Sequence, residues 1–259
     1  MTFEIQLVFH GGLAGFFLPP RLRRQIPVFR NLREKTSVKD VIEACGVPHP
    51  EVDLIVISSL NGEAPGDVDF RWQVETSVRL EVYGFPAPRE VLPSAPRLQT
   101  PSFDRFVADG HLGKLARNLR LLGFDTIYEA EADDRRLLEI TTSEGRAILT
   151  RDRRLLMHSI VRHGYCPRSV DPAKQTAEVL RRFGALDPSG QTAPFSRCLE
   201  CNGLLKSVPK ADVLERLADE PLTLRYYDDY RMCSACGRIY WPGTHFDKLA
   251  SRVSMLIGR

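Results

Sequence analysis

Two cysteine pairs, Cys198-Leu-Glu-Cys201 and Cys233-Ser-Ala-Cys236, lie well apart in this 259-residue chain. A C-x2-C pair turns two thiolates toward one point, and two pairs complete a tetrahedral set of four thiolates for Zn2+ with bonds of about 2.3 Å. Four protein ligands leave no open position, so such an ion is structural. It contributes roughly 10–16 kcal/mol of apparent binding energy, enough to hold together a module with little core. A thioredoxin-like redox pair is the competing reading, disfavoured by the second pair and by the lack of a strand–helix context. Gly203 and Gly237 follow the pairs and suit their tight turns. Cys45 falls on an apolar helix face and reads as a core residue. Cys166 precedes a proline and has no His or Asp context for a nucleophile.

Residues 86–102 hold 5 of the 18 prolines in 17 positions. That density favours polyproline II and forbids helix, predicting a semi-rigid linker. A softer boundary lies at residues 187–194. The expected division is therefore 1–85, the linker 86–102, 103–185, and a zinc-ribbon module at 186–259.

In 1–85, Phe3, Ile5, Leu7 and Phe9 alternate with polar residues, as in a half-buried strand. A turn follows between Gly11 and Pro20. Ser37 is placed to cap a helix carrying Val38, Val41, Ile42 and Cys45, closed by Gly46. Strands are expected at Leu54–Ser58 and Val78–Tyr83, with Asn61-Gly62 as a turn signal. This order describes a β-grasp. Val52-Asp-Leu-Ile-Val, Asn61-Gly-Glu, Val68-Asp-Phe and Ser77-Val-Arg-Leu-Glu-Val-Tyr make the segment similar to ubiquitin-like, ThiS/MoaD-like domains. Those carriers end in a free Gly-Gly, whereas this strand runs on through Tyr83-Gly84-Phe85-Pro86. An adaptor or binding domain is expected, and sulfur transfer only if the chain is processed.

Residues 103–185 alternate strand and helix patterns. Leu112, Leu115, Ala116, Leu119 and Leu122 form one apolar helix face closed by Gly123. Strands are expected at 103–108, 124–128 and 146–150, with helices over 134–142 and from Pro172 to Gly184. Repeated βα units predict a parallel, Rossmann-like sheet, whose ligands bind beyond the carboxyl ends of the strands. Asp109 and Asp152 each follow an apolar strand, and Asp134 opens the next helix. Three carboxylates at one edge repel unless protonated or neutralised, and oxygen-only ligands suit Mg2+ or Mn2+. Each has a structural alternative: Asp109 as a helix N-cap, Asp133 and Asp134 at the positive end of their helix. His111, Lys114, Arg117, Arg151 and Arg153 lie nearby as phosphate contacts or as a solvated face.

The ordered set Phe106-Val-Ala-Asp109-Gly-His-Leu-Gly113-Lys-Leu-Ala-Arg117-Asn-Leu-Arg120-Leu-Leu-Gly123, Asp134 with Leu137-Leu138, and Ile148-Leu-Thr150-Arg151-Asp152 resembles the PIN-like Mut-seven C-terminal RNase domain family. The resemblance covers roughly residues 103–250, zinc module included, and an N-terminal ubiquitin-like domain fits bacterial members. It implies an α/β PIN-like Rossmannoid sheet and hydrolysis of RNA. It makes Asp109, Asp134 and Asp152 the catalytic acids that bind Mg2+ or Mn2+. Lys114, Arg117 and Arg151 become phosphate contacts, and Cys198, Cys201, Cys233 and Cys236 hold structural zinc. The common pattern has a fourth acid, for which Asp171 is a candidate that also reads as a helix cap. An RNA-binding or scaffold protein without turnover is the alternative function. Tyr240-Trp241-Pro-Gly-Thr-His245 also belongs to the resemblance; its aromatics stack on bases or pack under zinc, and His245 contacts phosphate or sits in the core.

Composition is that of an ordinary globular protein: 43% hydrophobic and 27% charged residues exclude disorder and collagen-like structure. Residues 103–185 hold 15 Lys/Arg and 12 Asp/Glu, where a bare nucleic-acid binder shows a cleaner basic excess. No apolar run approaches the ~18 residues of a membrane helix. The opening Met-Thr-Phe-Glu-Ile lacks signal-peptide character, so a cytoplasmic protein is expected, with RNA as partner and a protein partner on the ubiquitin-like domain.

Overall fold

The computed structural model describes residues 2–17, 27–59, 66–100, 102–184, 193–243 and 246–257. Asn61-Gly62, His245 and most of the 187–194 boundary lie outside the described residues. The chain divides into two compact units. The first comprises residues 1–101 together with 141–143 and 150–166; the second comprises 102–140, 144–149 and 167–259.

In the first unit, β1 (Phe3–His10) turns through a 3-10 segment (Gly11–Phe16) and pairs antiparallel with β2 (Val28–Leu32). After the short β3 (Thr36–Ser37) comes α1 (Val38–Glu43). Ser37 caps α1, its Oγ accepting the Asp40 N–H at 3.1 Å while donating to the Asp40 carboxylate at 2.6 Å. Gly46 closes the helix at φ +91°, open to a residue without Cβ. Then follow β4 (Val52–Ser59), β5 (Gly66–Asp67), β6 (Gln73–Val74) and β7 (Val78–Gly84). The five-stranded order is β2-β1-β7-β4-β5, with β1 and β7 parallel and β7 and β4 antiparallel. By register Leu7 lies beside Leu80 and Ile55 beside Val82; these four, Ile5, and Val38, Val41 and Ile42 of α1 are all buried. This is the mixed β-grasp sheet expected from the order of strands and helix.

The proline-rich segment does not stand off as an extended spacer. A register shift in β4 between Val52 and Leu54 leaves Asp53 out of the ladder, and its carboxylate is buried. Asp53 accepts the Ala87 N–H on Oδ2 (2.9 Å) and the Gln99 N–H on Oδ1 (3.3 Å), and its backbone carbonyl accepts the Leu98 N–H (2.8 Å). Val91, Leu92 and Ala95 pack on Leu54, Val56, Tyr83 and Ala87. Two buried acceptors in need of donors draw the segment back into turns.

The second unit is built on β8 (Arg105–Ala108), β9 (Asp125–Tyr128) and β10 (Ala147–Leu149), all parallel, with β8 between the other two. The connections are α2 (Gly113–Leu121) and α3 (Asp134–Glu144). Leu115, Ala116 and Leu119 of α2 are fully buried, the face read from their spacing. Residues 150–166, in the first unit, contain α4 (Arg153–Leu156) and β11 (Gly164–Tyr165). Back in the second unit, α5 (Pro172–Arg182) starts at Asp171, whose Oδ1 accepts the Lys174 N–H at 2.9 Å. The ribbon consists of β12 (Leu205–Val208), α6 (Pro221–Tyr226), β13 (Tyr230–Cys233) and β14 (Ile239–Tyr240), and α7 (Phe246–Leu256) follows. Its three strands pair in the order β12-β13-β14. No described helix is long and apolar enough to cross a membrane.

Candidate functional site

Asp109 immediately follows β8, and its N–H donates to the Leu149 carbonyl of β10 at 3.0 Å. A one-turn 3-10 segment, Gly110–Leu112, leads into α2, and the Asp109 side chain makes no capping hydrogen bond to it. The N-cap reading is therefore not the one adopted. The loop is held instead by Tyr128, whose hydroxyl donates to the Gly110 carbonyl at 3.0 Å. A Cβ at Gly110 would lie 2.6 Å from the Ala130 oxygen, and one at Gly113 would lie 2.7 Å from the Tyr128 hydroxyl. Both glycines are required by close approach. Tyr128 escaped sequence reading because a strand-end tyrosine carries no local signal for a partner on the preceding βα loop.

Asp133 caps α3, its Oδ1 accepting the Arg136 N–H at 2.8 Å. Asp134 is the first helical residue, exposed, with no side-chain hydrogen bond or ion pair among the described residues. Asp152 lies in the first unit. Its N–H donates to Thr150 Oγ1 (2.9 Å), and its Oδ1 accepts the N–H groups of Arg154 (2.7 Å) and Leu155 (3.4 Å), capping α4. Lys114 and Arg151 are exposed. Arg117 pairs with Glu200 at 2.6 Å, and Arg153 donates to the Phe16 carbonyl at 2.7 Å, so Arg153 is a structural group.

Of the residues singled out from sequence, the four cysteines are brought together. Their sulfurs all lie within 4.8 Å of one another, the only such group of three or more His, Cys, Asp or Glu among the described residues. Cys198 and Cys236 approach to 3.7 Å, and Cys201 and Cys233 to 3.4 Å. A tetrahedron with bonds of about 2.3 Å has sulfur–sulfur edges of about 3.8 Å, so the set fits a tetrahedral thiolate-bound cation. Burial pushes the Cys198 thiol up, but the Tyr240 hydroxyl and the N–H groups of Cys201 and Glu200 outweigh it and bring it down to about 6. Burial and the three neighbouring sulfurs push Cys201 up to about 12. Four thiolates so close ionise together only around a cation.

The knuckles repeat one backbone device. The N–H four residues after the first cysteine donates to that cysteine's carbonyl, Asn202 to Cys198 and Gly237 to Cys233, each at 3.0 Å. Both residues have φ +71°. In the first knuckle the left-handed position is thus Asn202, not Gly203. Gly203 is required for another reason: its Cβ would lie 2.7 Å from the Cys233 sulfur. Tyr240 accepts the Leu199 N–H at 3.2 Å, and its hydroxyl donates to the Cys198 sulfur at 3.1 Å. This aromatic therefore buttresses the cysteine cluster.

The ribbon is tied to the parallel sheet by polar groups that periodicity does not reveal. Arg120 of α2 is buried and donates to the carbonyls of Thr126, Leu199 and Glu200. Asp125, at the start of β9, accepts from Arg146 (2.7 Å) and Asn202 (2.7 Å), with Arg197 at 3.5 Å and Arg105 at 3.7 Å. Burial acts to raise its carboxyl, but these donors and cations hold it below the usual range. Asp125 sits at the end of its strand opposite Tyr128, so it is a structural anion.

The Mut7-C RNAse domain family matches residues 104–253, and the Mut7-C ubiquitin family matches residues 2–89. No curated protein and no solved structure gives a significant match. The two family matches follow the order of the β-grasp, the parallel sheet and the cysteine ribbon, and the first spans more than half of the residues: the chain belongs to the Mut7-C RNAse domain family.

Proposed function

We propose that the protein is a ribonuclease that hydrolyses RNA phosphodiester bonds with Mg2+ or Mn2+ held by Asp109, Asp134 and Asp152. One observation carries this reading: in a chain of a nuclease family, Asp109 directly follows the strand flanked on both sides. Ligands of such sheets gather beyond that strand end. The donor set is all oxygen, suited to a hard cation. Asp134 has no side-chain partner among the described residues, and Asp152 caps with Oδ1 alone. When bound, such ions would activate water and stabilise the leaving oxygen. Lys114 and Arg151 are exposed cations that hold phosphates, and Arg117 does so by exchanging Glu200 for phosphate. Cys198, Cys201, Cys233 and Cys236 hold structural Zn2+, and the ribbon so fixed supports RNA binding. For this reading the chain divides into 1–85, 86–102, 103–185 and 186–259, with the ubiquitin-like domain offering a surface to a protein partner in the cytoplasm.

RNA binding without turnover is the second reading. It is favoured by Asp171, the fourth-acid candidate, whose Oδ1 is engaged in capping α5. Cleavage of a mixed RNA pool with Mn2+, Mg2+ or EDTA separates the two. Metal-dependent cutting that is lost in Asp109→Asn and Asp152→Asn is expected. Equal cutting by wild type and both variants overturns the proposal, and RNA retention without any cutting selects the second reading.

A further inference from the structure

Residues 150–166 fall within the nuclease family match, yet they share a compact unit with the ubiquitin-like domain. Hydrogen bonds between groups remote in sequence hold them there. The Arg153 guanidinium donates to the Phe16 carbonyl at 2.7 Å. The imidazole of His49 spans Glu43 on Nδ1 (2.7 Å) and the Val161 carbonyl on Nε2 (2.6 Å). Since a carbonyl only accepts, Nε2 carries the hydrogen. The Cys166 N–H donates to Glu51 Oε1 at 2.8 Å.

These are built contacts. Phe16, His49, Glu51, Val161 and Cys166 are all buried, with Glu51 only 4% exposed. A buried carboxylate or imidazole without its partner is costly, so each pairing is strongly enforced. They grip the segment near its start, its middle and its end. Within it, the Thr150 hydroxyl accepts the Asp152 N–H, and Asp152 caps the helix that Arg153 begins. The residue clamped onto Phe16 is thus the direct neighbour of Asp152.

We propose that the ubiquitin-like domain holds a piece of the nuclease match within its own unit: Phe16, His49 and Glu51 are positioning residues that hold the segment 150–166 and the backbone that carries Asp152. This rests on Asp152 being a metal-binding acid. A displacement near 1 Å at a catalytic group lowers turnover as much as ~100-fold, so the clamp is felt in kcat and not in RNA affinity.

The test uses the full chain and four variants: Arg153→Ala, Glu51→Ala, Glu51→Gln and Asp152→Asn. Amide hydrogen exchange is read in peptides covering 150–166 and in α2, and RNA cleavage with Mn2+ is read as kcat and KM. Arg153→Ala and Glu51→Ala are expected to speed exchange in 150–166 and leave α2 unchanged. They lower kcat about 10–100-fold with KM within about twofold. Glu51→Gln, which keeps an oxygen for the Cys166 N–H, restores both readouts. Arg153, half-buried, keeps the test open should Glu51→Ala fail to fold. Faster exchange with unchanged kcat overturns the proposal, as does unchanged exchange. Cleavage by Asp152→Asn equal to wild type instead overturns the role of Asp152 beneath it, whatever the exchange shows.

Discussion

Asn202 and Asp125 lie 77 residues apart in sequence and are joined by a 2.7 Å hydrogen bond from Nδ2 to Oδ1. The Asn202 side-chain Oδ1 also accepts the Thr126 N–H at 3.0 Å. One side chain thus ties the first cysteine knuckle to β9, on a residue that also adopts a left-handed backbone. Asn202→Gly keeps the backbone and loses both bonds, an expected cost of about 2–4 kcal/mol, since bonds to charged partners are the stronger. Asn202→Ala adds roughly 1–2 kcal/mol for Cβ at positive φ. Thermal melting should therefore rank Asn above Gly above Ala, and Ala above Gly refutes the backbone argument.

Asp125 sets an acid limit. Its carboxyl is held below the usual carboxylate range, so its stabilisation is fully present above the unfolded value near pH 4. It is lost as pH falls through the lower folded value. Asp125→Asn should be less stable than wild type at pH 7, and the gap should narrow below pH 4. A gap constant from pH 7 to pH 3 in urea unfolding contradicts this.

Tyr240→Phe removes the hydroxyl that donates to the Cys198 sulfur and leaves the ring. Loss of such an outer-shell donor typically weakens metal binding 10–100-fold. Competition against a chromophoric chelator should show that drop for Zn2+, with an unchanged far-UV spectrum in the zinc-loaded protein. Equal affinity means the hydroxyl serves only the Leu199 N–H.

Gly113→Ala inverts the ordinary rule for helices. Alanine usually stabilises a helical glycine position by about 1 kcal/mol, but here Cβ meets the Tyr128 hydroxyl oxygen and the ring carbon that bears it at 2.7 and 2.8 Å. Destabilisation of about 1–3 kcal/mol is expected. In a Tyr128→Ala background the same substitution should become neutral or stabilising. A double-mutant cycle by urea denaturation reads that sign change.

Much of this was legible from residue spacing. The i, i+3, i+4 series from Leu112 to Leu122 marks α2, and alternation from Phe3 to Phe9 marks β1. Two C-x2-C pairs define the cysteine cluster because four sulfurs and one geometry leave few alternatives. Periodicity reports which side chains avoid water, and it is silent on which polar groups find each other. Hence Asp133 rather than Asp134 turns out to cap α3, Asn202 rather than Gly203 takes the left-handed turn, and Arg153 bonds a carbonyl 137 residues away. The shared unit of 150–166 and the ubiquitin-like domain belongs with these, since long-range hydrogen bonds specify it.

Asp53 gives the proline-rich segment an unusual economy. Twelve residues of extended chain reach roughly 40 Å, yet Ala87 and Gln99 hang from two oxygens of one carboxylate. The stretch is a closed bight, and residues added to it enlarge the bight without paying out rope. Doubling its length costs only about 0.6 kcal/mol in closure entropy. Pro93 and Ser94 are exposed at its outer bend, a natural port for a fluorophore or affinity tag on an otherwise undisturbed chain.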